Sequence, residues 1–178
     1  MAASIQGSAR RLRPGAAGVL VAACSLFPAA AAADAPDERA NRFNDPFVQI
    51  TSALPACPVP EPPGYTAQEA TAEAHDRAQR GVSCWLAGRC RLANAYLYDA
   101  EIIPRVQLAL RVDGRFGATT SLWAAGRRRF VWLQGCVATA ELAAEAERIL
   151  RGIDDVEGVV NEIMVGTGGV PPYHTGKH

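Results

Sequence analysis

The clearest pattern of apolar positions lies near the C-terminus. Phe130–Val137 is almost continuously apolar and reads as a strand, with Val131, Leu133 and Val137 on one side. Phe130, Trp132, Gln134 and Cys136 fall on the other side. Leu142, Ala146, Ile149, Leu150 and Ile153 then recur at i, i+4, i+7, i+8 and i+11, which is one face of a helix. A last strand follows, entered through Val159-Val160-Asn161 and ending near Val165. Upstream, a strand over Thr119–Ala124 is expected to pair with Phe130–Val137 through a hairpin turn at Ala125-Gly126-Arg127. Before it, Asp99 is expected to cap a helix whose apolar face is Ile102, Ile103, Val106, Leu108 and Leu110. Pro104 should distort its first turn or delay its start.

The region before Asp99 has weaker periodicity. Residues 34–44 are polar and expected to be mobile, and Phe47, Val48 and Ile50 form a short apolar patch. Pro55–Gly64 holds five prolines and predicts extended, polyproline-like chain. Thr66 and Glu69 form a capping box opening a helix to about Arg80, with Gly81 beyond its end. Ala70, Ala74 and Ala78 give that helix a thin stripe of small residues for close packing. Trp85 and Leu86 follow, between Cys84 and Cys90. Residues 166–178 are rich in Pro and Gly and read as a flexible tail.

Charge and composition add a compartment. Arg10, Arg11 and Arg13 precede an apolar run from Ala16 to Ala33, the pattern of a secretory signal peptide over residues 1–33, with cleavage expected after Ala33. An alternative lipobox, Val21-Ala22-Ala23-Cys24, would leave a lipidated Cys24. Without residues 1–33 the chain has fifteen basic and eighteen acidic side chains. No basic excess remains for a nucleic-acid partner. Cys57, Cys84, Cys90 and Cys136 are then an even set in an oxidising compartment, and four cysteines allow three pairings. The short spacing favours Cys84–Cys90, which leaves Cys57–Cys136 to pin the N-terminal region to the sheet.

Val131, Leu133, Gly135 and Val137, then a helix, then Val156, Val159 and Asn161 resemble the signature of the BON domain, a small envelope module. The resemblance covers roughly Asp99–Val165. It implies an α+β fold, α-β-β-α-β, with a small mixed sheet and two helices on one face. The expected organisation is therefore a signal peptide (1–33), a Pro-rich, partly helical N-terminal region (34–98), a BON-like domain (99–165) and a tail (166–178). The family's members are non-catalytic. The resemblance implies a periplasmic module that associates with a phospholipid membrane surface and supports envelope integrity under stress. The alternative is an adaptor that docks on an envelope protein assembly through its sheet face.

Candidate chemistry is sparse. His75 sits on a solvated helix, His174 and His178 in the tail, and no catalytic motif, metal set or cofactor loop occurs. Arg127, Arg128 and Arg129 at the hairpin tip are candidates for lipid phosphate or another anion, against an ordinary soluble turn. Phe130 and Trp132 form an apolar sheet face. Either the N-terminal region covers it, or it docks lipid or a protein.

Overall fold

The computed structural model describes residues 38–176. The expected signal peptide and Cys24 lie outside the described residues.

Four strands form one sheet in the order β1-β2-β3-β4. They are Phe47–Gln49 (β1), Thr120–Arg127 (β2), Phe130–Val137 (β3) and Gly158–Val165 (β4). β2 pairs antiparallel with both β1 and β3, and β4 runs parallel to β3. A parallel pair needs a crossover, and helix α4 (Ala140–Arg151) supplies it. Helix α3 (Asp99–Val112) packs beside α4 on the same sheet face. The fold is thus α+β, with the α-β-β-α-β unit running from α3 to β4.

The main core lies between that face and the two helices. Val131, Leu133 and Val137 meet Ile102, Ile103, Val106, Leu110, Ala146 and Leu150, all essentially inaccessible to water. Leu108, expected on the buried face, is 63% exposed. Alpha-helical spacing explains it, because positions 102, 103, 106 and 110 lie on one stripe and 108 falls outside it. Helix α3 runs through Pro104 without interruption.

The N-terminal region adds a strand to the three expected. β1 pairs with β2 so that Val48 joins the main core and Phe47 the opposite face. Ile50, 4% exposed, continues the alternation of Val48. On that opposite face, Cys57, Trp123, Cys136 and Met164 make a second small core with Phe47, Leu54 and Val59. The Pro-rich segment lies over it, bonded at Cys57–Cys136 (S–S 2.00 Å) and by Leu54 N–H donating to Ser121 Oγ at 2.8 Å.

Two segments expected to be mobile are held. Residues 38–44 are tied by the Ala40–Tyr65 bridge and by Arg39, which donates twice to Glu69 at 2.8 Å. The tail folds back on the Pro-rich segment. Thr175 bridges Pro60, and the buried Tyr173 donates its hydroxyl to the Pro58 carbonyl at 2.8 Å. Extended proline-rich chain leaves carbonyls unpaired, and the tail supplies partners for them.

Helix α1 (Ala67–Gln79) begins at the expected capping box, with both Thr66 and Glu69 bonds present. Its packing differs from the alanine stripe expected: Ala74 and Ala78 face solvent, and Glu73 and Arg77 face the protein. Arg77 is the buried residue of this helix. Its guanidinium donates to both Asp45 carboxylate oxygens, at 2.7 and 2.6 Å. The rings of Phe43 and Tyr96 sandwich it at 3.9 and 4.0 Å. The helix lacks large apolar groups, so a charge-assisted, π-stacked contact anchors it instead.

Candidate functional site

The hairpin turn lies two residues beyond its expected place, at Arg128-Arg129, because β2 continues through Gly126 to Arg127. Gly126 extends the strand since it must pass close to α3, where an added Cβ would come within 2.9 Å of Ile103. Both turn residues have positive φ, 57° and 70°. Two-residue hairpins of this hand favour Asn and Gly, so a pair of arginines needs outside support.

Asp99 gives that support. It was expected to cap α3, but Tyr98 holds the cap position and Asp99 is the first helical residue. Its carboxylate, 1% exposed, accepts the backbone N–H groups of Arg128 and Arg129, each at 2.7 Å. Burial pushes its pKa up to about 6, against the two N–H bonds, which pull it down.

The three arginines therefore do not form one anion site. Arg127 turns inward and donates to Glu73 at 2.6 Å. Burial works to lower its pKa, but bonds to Glu73 and Tyr96 outweigh that and raise it. Arg129 is clasped: its Nε donates to the Asp155 carbonyl at 2.9 Å and its Nη1 lies 3.2 Å from Glu157. Arg128 is different. Its guanidinium has no side-chain hydrogen bond or ion pair among the described residues, and its Nε is buried without a partner. Asp76, the acid whose charge it influences, is already held by Arg80 at 2.5 Å.

Arg128 borders a cavity of about 590 Å³ between the hairpin tip and the loop closed by Cys84–Cys90 (S–S 2.05 Å). Leu92, Tyr98 and Phe130 supply apolar lining, and Arg80, Arg128 and Arg129 supply cations beside the single acid Glu157. The pocket thus sets a cationic rim, in which Arg80 is paired with Asp76 and Arg129 with Glu157, against an apolar wall. The pocket joins residues 80–92, which the sequence left without a role, to the hairpin. The spacing of Cys84 and Cys90 was the only signal toward it.

The apolar sheet face is only partly covered. The Pro-rich segment and tail lie over its Cys136 end. At the other end Phe130 is 36% exposed and Trp132 half-buried, with ring centroids 6.3 Å apart. Trp132 lines an open cleft with Gln134, Glu162, Glu61, Pro172 and Tyr173. Among the described residues no group of three His, Cys, Asp or Glu is placed to hold a metal. No described helix is long and apolar enough to cross a membrane.

Residues 98–167 match the family model of the BON domain. Such domains are in general non-catalytic binding modules associated with phospholipid or with the cell envelope. No curated protein matches the chain.

Proposed function

We propose that this protein is a non-catalytic periplasmic module that associates with membrane phospholipid through the hairpin end of its BON domain, supporting envelope integrity under stress. The observation that carries the reading is Arg128: an unpaired guanidinium on a rigid turn, beside an apolar-walled pocket. A lipid phosphate would pair with the terminal amino groups of its guanidinium, while the walls accept the adjoining apolar part of the lipid. A cation close to an anionic surface contributes roughly 1 kcal/mol, so Arg128, with Arg80 already paired to Asp76, gives a weak, salt-sensitive attraction. Export by the signal peptide at residues 1–33 belongs to the same reading.

Flotation of the exported chain with anionic and neutral vesicles tests it. Binding should favour anionic vesicles and weaken with salt, because exposed charges are screened over about 8 Å at physiological ionic strength. Arg128→Glu should reduce it without lowering the melting temperature. Binding indifferent to both salt and Arg128→Glu would refute the site.

The half-covered Trp132 cleft supports a second reading, an adaptor that docks on an envelope assembly through its sheet face. Capture of an envelope protein that is lost in Trp132→Ala, with vesicle binding intact, would favour it.

A further inference from the structure

We propose that the disulfide-closed loop Cys84–Cys90, outside the BON domain, is the element that enters the lipid interface, with Trp85 and Leu86 as its inserted side chains. The inference rests on the phospholipid reading and names the part of the chain that makes the contact. The occupant is the surface of an anionic phospholipid bilayer.

Four observations point to the loop. Trp85 and Leu86 sit side by side on the five-residue helix α2 (Val82–Leu86), 45% and 72% exposed. Large apolar groups on a free surface ordinarily fold inward, but here the chain is short and closed at both ends. The Cys84–Cys90 bond spans only six positions. Backbone bonds within the ring hold it further: Ala87 N–H to Ser83 O at 3.1 Å and Arg89 N–H to Cys84 O at 3.0 Å. The two side chains are thus displayed in a fixed frame, and inserting them requires little new ordering of the backbone.

Charge surrounds them with the right sign. Arg89, inside the ring, makes no side-chain hydrogen bond or ion pair among the described residues, and Arg128 faces the ring across the shared pocket, also unpaired. Trp prefers the headgroup level of a bilayer, where its ring is buried and its N–H stays near polar groups. Unpaired arginines at the same level meet phosphates. Apolar insertion combined with cation–phosphate contact is the physics of an interfacial anchor.

Another exposed apolar pair lacks the second half of this arrangement. Leu108 and Val112, 63% and 72% exposed, lie on α3 beside Arg111, whose guanidinium is engaged by the Ile50 and Gln49 carbonyls. They serve as the internal control.

The experiment is flotation of the exported chain with vesicles of phosphatidylcholine and phosphatidylglycerol. Native protein is compared with Trp85→Ala/Leu86→Ala, with Leu108→Ala/Val112→Ala and with Arg128→Glu, and melting temperature is read for each. The loop variant should lose about tenfold or more in partitioning with an unchanged melting temperature, and the α3 variant should bind as native. Native-like binding by the loop variant, while Arg128→Glu still weakens it, would overturn the loop as anchor and leave the phospholipid reading standing. No vesicle binding by the native chain would overturn both. Brominated lipid should also quench fluorescence in a Trp132→Phe background, where Trp123 is buried and Trp85 is the accessible indole. Absent quenching despite binding would likewise refute insertion.

Discussion

Replacing Asp99 by Asn should make the stability of this protein respond differently to pH, in a direction that the buried carboxylate dictates. Asp99 is nearly inaccessible, and its pKa rises from 3.8 to about 6, with burial the largest cause. An acid whose folded pKa is raised binds its proton more tightly in the native state. Its contribution is therefore full below about pH 4 and is lost as pH rises through 6. At 1.36 kcal/mol per pH unit, the loss across that window is roughly 3 kcal/mol. Asn cannot titrate, and its NH2 group opposes one of the two backbone N–H donors, a cost of about 1–3 kcal/mol at every pH. Urea melts of both proteins between pH 3.5 and 7.5 isolate the effect, because the other carboxylates are common to both and cancel in the difference. The native protein should exceed Asp99→Asn most at low pH, and the gap should narrow by roughly 3 kcal/mol toward neutrality. A gap that widens with pH would mean that the N–H groups of Arg128 and Arg129 stabilise the carboxylate more than burial penalises it. That outcome would refute the reasoning.

Two further perturbations test the covering of the sheet. Cys57→Ser/Cys136→Ser opens a loop with a sequence separation of 79 and should cost roughly 4 kcal/mol by the chain-entropy estimate, read by urea denaturation. It should also raise the accessibility of Trp123 to acrylamide, and a variant that melts as the native protein would show that the tether is dispensable. Trp132→Ala should cost only about 1–2 kcal/mol, because the ring is half-buried in a cleft and little transfer free energy is lost. A loss as large as that of a full core residue, measured by the same melts, would show that the cleft is closed in solution.

The BON part of the fold was legible because its information is local and periodic. Helical spacing placed α4, and the parity of Val131 and Leu133 against Trp132 and Cys136 assigned the two faces of β3. Parity also put Cys136 under the Pro-rich segment, where Cys57 reaches it. The rest was hidden by long-range polar pairing, which leaves no period in the sequence. Asp45 and Arg77 are 32 residues apart, and nothing local marks either as buried. Asp99 looked like a cap because Asp before an apolar helix often is one. Its real partners lie 29 and 30 residues away, on a turn whose arginines conceal its type. Three-residue β1 was too short for an alternation signal, although Phe47, Val48 and Ile50 carried the right parity.

These polar contacts also explain why the region before residue 98 is not a detachable appendage. β1 covers the β2 edge, and Leu54, Cys57 and Val59 close the second core, so the apolar outer face of β2–β4 depends on them. Arg77 and Glu73 bind α1 to Asp45, Tyr96 and Arg127, which links that helix to the BON hairpin itself. Through Arg127 the extension orients one side of the turn, and through Asp99 helix α3 fixes the other. Arg128 is left between two anchored neighbours with its guanidinium unpaired. An arginine on a free loop would find a carboxylate nearby. This one is left without a side-chain partner beside Asp76, which Arg80 already holds, so contacts from the extension and from residues 98–167 both shape the turn on which the binding reading stands.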